Sequence, residues 1–157
     1  MVSIRYARPD EALALESLQR RSSDVWEEDR ALLAEHPELI EPPHEAIVDG
    51  RVRVAVDASG RRLGFSVVLP AVQGRCELDD LFVEPDVMGQ GVGRLLVDDV
   101  VARARAAGAS FVDAIANPNA VGFYERLGFE ISGEEAMRFG SSPRMTLELL
   151  PEINSDP

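Results

Sequence analysis

The sequence predicts an α/β (α+β) fold built on a mixed, largely antiparallel sheet flanked by helices. Three observations carry that prediction. The runs "RVRVAVD", "RRLGFSVVLP" and "CELDDLFV" are β-rich and separated only by "ASG" and "AVQG", connections of hairpin length. After Pro85 the pattern changes to helix, strand, helix and then a closing pair of strands. At 157 residues and 45% hydrophobic content the chain has the size of one domain with a proper core.

The elements follow in order. "VSIRYARP" is a short strand of alternating character that ends at Pro9. From Asp10 to about Arg21 the apolar positions Ala12, Leu13, Leu15 and Leu18 fit a helix, and "DVWEEDRALLAEH" predicts a second one that Pro37 stops. "IEPPHEAIVDG" is punctuated by prolines and glycine and reads as a loop with room for one short helix. The three β runs then form an antiparallel meander. In the helix that follows, Leu95, Leu96, Val100, Val101 and Ala104 make one apolar face, Arg103 and Arg105 suit the negative end of the dipole, and Gly108 takes a left-handed cap. "SFVDAIA" is a strand, "NPNAVGFYERLG" a capped helix, and "FEISGEEAMRFG" with "PRMTLELL" a closing hairpin. A single domain over residues 1–150 is expected, with "PEINSDP" (151–157) as a frayed tail.

Composition excludes several classes. No apolar run reaches the length of a membrane span, and "MVSIRYARPDEALAL" lacks the basic start and apolar centre of a signal peptide, so a cytoplasmic protein is expected. Cys76 is the one thiol, and with His36 and His44 it is a poor stock for zinc, so no structural metal is expected. A formal charge of −12 argues against nucleic acid and anionic membranes; it is compatible with a cationic substrate or with solubility alone. All 16 basic residues are Arg, which removes both the lysine of a Walker-type phosphate loop and the Schiff-base lysine of a pyridoxal enzyme.

The stretch "DVMGQGVGRLL" places Gly89, Gly91 and Gly93 where a loop becomes a helix. Bare backbone N–H groups at a helix start invite a phosphate. A dinucleotide fingerprint does not fit, because the spacing is G-x-G-x-G, with Arg94 or Leu96 where a third glycine should fall, and the preceding strands read as antiparallel. Two readings stay open on these residues alone, an anion cradle and a tight strand-to-helix turn.

"LDDLFVEPDVMGQGVGRLLVDDVVARARAAG" followed by "NPNAVGFYERLGFE" resembles the GNAT superfamily of acetyl-CoA-dependent N-acetyltransferases, from about residue 50 to residue 150 and more loosely from residue 2. The resemblance implies a sheet with a central splay, acetyl-CoA as cosubstrate, and transfer to a primary amine. The family's acyl-CoA loop, Q/R-x-x-G-x-G/A, falls on Met88, Gly89, Gln90, Gly91, Val92 and Gly93. Met88 departs from the usual Gln or Arg, leaving backbone amides up to Arg94 to cradle the pyrophosphate and Arg94 to add charge. By the same resemblance the cosubstrate meets Leu81, Phe82 and Val83, the Val83 N–H stabilising the tetrahedral oxyanion. Asn117, Ala120 and Tyr124 match the helix beside the thioester, Asn117 contacting the pantetheine arm and Tyr124 protonating the departing thiolate. Each has a plainer reading beside it: Asn117, followed by Pro118, as a helix cap, and Tyr124 as a core aromatic like Phe123, Leu127 and Phe129.

An amine must lose a proton before it attacks a thioester. "CELDDLFV" puts Glu77, Asp79, Leu81 and Val83 on one face of a strand and Leu78, Asp80 and Phe82 on the other. The family's base lies on this strand, and the matching position is Glu77, with Asp79 second; both also read as ordinary solvent-facing acids. Cys76 has no His placed near it and reads as a passive thiol. Trp26, Glu27 and Glu28 lie where family members shape an acceptor pocket, or form an exposed helix face with Trp26 packed inward. The acceptor, a small molecule or a peptide, is not specified, and a homodimer through β edges is compatible. The alternative function is a non-catalytic acyl-CoA-binding sensor or interaction module, which Met88 favours.

Overall fold

A computed structural model describes residues 1–150; the tail from Pro151, expected to fray, lies outside the described residues. The strands are β1 (Ser3–Tyr6), β2 (Val52–Val56), β3 (Arg62–Val68), β4 (Arg75–Val83), β5 (Phe111–Ile115), β6 (Glu130–Ala136) and β7 (Ser141–Glu148). The helices are α1 (Ala12–Ser23), α2 (Glu27–Glu35), α3 (His44–Val48), α4 (Val92–Ala106) and α5 (Val121–Arg126). The strand order is β1-β2-β3-β4-β5-β7-β6. β4 and β5 run parallel, whereas β1/β2, β2/β3, β5/β7 and β6/β7 are antiparallel, the mixed sheet that the sequence predicts. Among the described residues no helix is long and apolar enough to cross a membrane.

The chain divides into two compact units, one of residues 1–68 and 80–99, the other of residues 69–79 and 100 onward, with β4 and α4 passing from one to the other. In the first unit, Ala12, Leu15 and Leu18 of α1 join Ala46 and Ile47 of α3 and Val52, Val54, Val56, Phe65 and Val67 of the sheet in one core. Burying Leu15 and Leu18 contributes about 2 kcal/mol each. Leu13, predicted with them, is 67% exposed; the buried stripe steps through residues 12, 15 and 18, and Leu13 falls off it. A second cluster joins Ala55, Leu63, Val92 and Leu96. Leu63 reaches it through an irregularity: Ala55 pairs with Gly64 and Val56 with Arg62, so Leu63 is skipped and turns to the face opposite Phe65 and Val67.

Glu11 anchors this unit. It is buried at the start of α1 and accepts both Nη groups of Arg5 at 2.8 Å, the Arg8 N–H at 2.7 Å and Arg62 at 3.1 Å, which joins β1, α1 and β3. The Arg5 hydrogen bonds, helped by the Arg8 N–H and Arg62, hold its carboxyl down from 4.5 to about 2 against the opposing effect of burial. A folded-state pKa below the unfolded one adds stability that is complete above about 4.5 and is lost as the pH falls towards 2. Glu11→Gln is expected to cost on the order of 3 kcal/mol at pH 7, and the gap to wild type should narrow towards pH 3, as read by urea denaturation at both pH values.

In the second unit the pairs Cys76↔Val112 and Leu78↔Ala114 continue to Leu147 and Met145 on β7, forming the apolar face. The opposite face carries Glu77↔Asp113↔Thr146 and, next along, Ile115↔Arg144. α4 itself buries Val92, Leu96, Val97, Val100 and Ala104, while Leu95, predicted on that face, is 42% exposed. Steps of four residues from Val92 to Ala104 centre the stripe so that Leu95 lies about 140° away from it. Gly108 closes the helix as expected, at φ 80°, with the Ala109 N–H donating to Ala104 O at 2.9 Å.

Candidate active site

The first group of site residues lies where β4 leads into α4. A Cβ built on Gly64 of β3 would sit 2.7 Å from the carbonyl oxygen of Phe82, so that carbonyl faces β3. The Glu84 N–H also faces β3, donating to Leu63 O at 2.8 Å. Backbone groups of successive strand residues point to opposite edges, and the Phe82–Val83 peptide is trans; the Val83 N–H therefore lies on the edge of β4 away from β3. The ladder with β5 ends at Leu78, whereas β4 runs on to Val83. Phe82 itself packs on Phe65, ring centroids 5.7 Å apart, and Leu81 packs against the Leu63 and Leu96 cluster. Both side chains are only half-buried in these contacts.

The next turn, Pro85–Val87, is held by its acids. The Arg21 Nε donates to both Glu84 carboxylate oxygens at 3.1 and 3.2 Å, its Nη2 adding a further contact, and Arg61 Nη2 donates to Asp86 at 2.8 and 2.9 Å. Each acid next to the loop thus has a cationic partner. Gly89 and Gly91 then adopt φ 81° and 87°, and a Cβ built on either would meet nothing within 4 Å. Glycine is required here for the turn of the chain, and the space above the backbone is open. The first intrahelical bond of α4 runs from the Leu95 N–H to Gly91 O at 3.1 Å, which leaves the earlier N–H groups without intrahelical acceptors. Val92 is buried, while Met88, Gln90 and Arg94 are exposed. Bare amides, a positive helix end, an exposed guanidinium and neutralised neighbouring acids fit a pyrophosphate.

The second group lies on β4, β5, β7 and α5. Glu77 and Asp79 share a face of β4, as predicted, and Arg144 of β7 donates from Nη1 to Glu77 Oε1 at 3.1 Å. Arg144 also pairs with Glu135 at 3.5 Å. Beside them, Asp113 accepts Arg75 at 2.7 and 2.8 Å and the Thr146 hydroxyl at 2.6 Å, and these contacts, Arg75 first, hold its carboxyl below the ordinary range. Burial, with the Asp113 charge, pushes the Cys76 thiol up, which fits the passive role expected of it.

Asn117 does cap: its Oδ1 accepts the Asn119 N–H at 2.9 Å. The segment it starts is a 3-10 turn over Pro118–Ala120 that runs directly into α5. Tyr124 is buried, edge-on to Phe123 at 5.1 Å and to Phe129 at 5.3 Å. Trp26 precedes α2 and is 39% exposed, not packed inward, and α2 has no buried residue. Sequence reasoning missed Arg144, Asp113 and Gly64. The alternation in "PRMTLELL" marks Arg144 and Thr146 as one face, yet nothing in it says which acids they meet.

A model of the family described as Acetyltransferase (GNAT) family matches residues 12–129. The chain is similar to the peptidyl-lysine N-acetyltransferase YjaB of Salmonella typhimurium, 30% identical over 152 residues that span 96% of this chain and 98% of that one. It is 32% identical to the streptothricin acetyltransferase of Streptomyces lavendulae over 82% of each chain. Among solved structures it is similar to the paia N-acetyltransferase of Thermoplasma acidophilum in complex with coenzyme A, with a TM-score of 0.78 and 18% identity over 95% of this chain and 99% of that one. It is also similar to the apo form of YjaB from Escherichia coli, with a TM-score of 0.65 and 28% identity over 94% and 97%.

Proposed function

We propose, from the premise that the chain belongs to the acetyltransferase (GNAT) family and takes acetyl-CoA as its cosubstrate, that it transfers the acetyl group directly to a lysine side chain of a peptide. The observation that carries this acceptor is the likeness to a peptidyl-lysine N-acetyltransferase along nearly the whole of both chains. The charge of −12 agrees with it, since it draws in cationic, lysine-bearing segments.

Acetyl-CoA supplies an acyl carbon activated as a thioester. The open backbone at Gly89 and Gly91, with the N–H groups of Val92, Gly93 and Arg94, holds the pyrophosphate, and Met88 and Gln90 border it. Leu81 and Phe82, half-buried at this end of β4, meet the cosubstrate beside Val83. The Val83 N–H donates to the thioester carbonyl oxygen, a donor already in place before charge develops there. Glu77 takes the proton that the lysine ammonium must lose, and Asp79 is next in line on the same face. Tyr124 gives a proton to the departing sulfur. Asn117, whose Oδ1 accepts the Asn119 N–H, contacts the pantetheine arm beside the small side chain of Ala120.

The test is thiol release from acetyl-CoA in the presence of lysine peptides, free amino acids or amine antibiotics, with melting curves run in parallel. Acetyl-CoA at about one hundred times its dissociation constant should stabilise the fold by about 2.7 kcal/mol. Turnover is expected with the peptides, and acetyl-lysine found in the mixture belongs to the acceptor, because this chain contains no lysine. Turnover confined to small amines, or none at all, would overturn the peptide acceptor.

A further inference from the structure

Gly64 lies in β3, opposite Ala55 of β2, and is buried. A Cβ there would lie 2.7 Å from Phe82 O, 3.3 Å from Val83 Cα and 3.2 Å from Leu96 Cδ1. The third of these is the end of a flexible side chain and can give way. The first two are backbone, and they belong to one peptide group: the Phe82 carbonyl and the Val83 N–H share a plane, so anything that tilts the carbonyl tilts the N–H by the same angle. β4 has little freedom to move as a whole, because Leu63 O holds the Glu84 N–H at 2.8 Å and Arg21 holds the Glu84 carboxylate. A side chain at residue 64 would therefore rotate the peptide and leave the strand where it is.

We propose that Gly64 is a positioning residue for acetyl transfer: the missing side chain lets β3 approach the Phe82–Val83 peptide closely enough to aim the Val83 N–H at the thioester oxygen. This rests on Val83 being the donor proposed above. The pyrophosphate cradle at Gly89 to Arg94 lies further along the chain, so binding of coenzyme A is separable from the aim of this one amide. Ser66, two residues on in the same strand and fully buried with an unpartnered hydroxyl, is the natural control, since its change to Ala removes nothing that is hydrogen-bonded.

The experiment compares wild type, Gly64→Ala, Gly64→Ala with Leu96→Val to free the flexible side of the site, and Ser66→Ala. Coenzyme A affinity is read by calorimetry and kcat is normalised to competent binding sites. The Val83 amide is followed by NMR with coenzyme A and with a non-transferable ketone analogue of acetyl-CoA. Wild type should show a Val83 amide shift specific to the ketone; its absence would sink the donor assignment itself. Given that shift, both Gly64 variants should bind coenzyme A within about threefold of wild type, lose about tenfold or more in kcat and lose the ketone-specific shift, since a misplacement near 1 Å is enough to cost such factors. Ser66→Ala should match wild type throughout. Unchanged kcat per site in the Gly64 variants would overturn the proposal. So would failure of both to fold or to bind coenzyme A, which would leave Gly64 a purely structural residue.

Discussion

Tyr124→Phe is expected to lower kcat by about 100- to 1,000-fold while leaving the affinity for coenzyme A within a few fold of wild type. The variant keeps the ring and removes one oxygen. The ring makes edge-on contacts with Phe123 and Phe129 and is 6% exposed, so its packing, and with it the end of α5, should survive the change. Loss of a single hydroxyl contact costs about 1 kcal/mol of stability, far too little to unfold a domain. The rate effect corresponds to about 3–4 kcal/mol in the barrier, because a thiolate expelled without a proton is a poorer leaving group than a thiol. Steady-state kinetics at saturating acetyl-CoA, with melting curves alongside, make the measurement. A fall of less than about threefold would return Tyr124 to the core, where its burial already gives it a reason to exist.

What the sequence carries is local. "ASG" and "AVQG" mark the meander, Gly108 marks the end of α4, and the glycines of "DVMGQGVGRLL" mark a turn, because each depends on backbone conformations that nearest neighbours decide. Burial is less local. Leu13 and Leu95 are as apolar as their neighbours, and only the direction in which α1 and α4 face the sheet decides that both stay outside. Leu63 turns to the opposite face because β3 carries one residue more than β2 at that point, a property of the pair that neither strand shows alone. Ion pairs are the least legible. Glu11 meets Arg62 and Glu77 meets Arg144 across long stretches of chain, and an Arg on a strand face has many acids within reach of its length. The family resemblance supplied Glu77, Val83 and Tyr124; the close approach at Gly64 is a property of the folded pair of strands that neither strand shows alone.

Glu77→Gln should likewise cost about 100- to 1,000-fold in kcat/KM at neutral pH, and its pH dependence is the sharper part of the result. The carboxylate and its Arg144 partner are 26% and 30% exposed, and pairs so open to water contribute at most about 1 kcal/mol, so the fold should tolerate the change. Without a base, only acceptor molecules already deprotonated in solution can react. A lysine amine titrates near 10.4, so the variant's kcat/KM should rise about tenfold per pH unit from pH 6 to pH 9, while the wild-type profile climbs less steeply and the two converge. Arg144 sharpens the argument, because it fixes one carboxylate oxygen of Glu77 and is itself shared with Glu135. Asp79→Asn, on the same face of β4, should keep most of the wild-type rate. If Asp79→Asn shows the large loss and the steep profile, and Glu77→Gln does not, the base is Asp79, and the pair formed by Glu77 and Arg144 serves to hold β4 and β7 in register across β5.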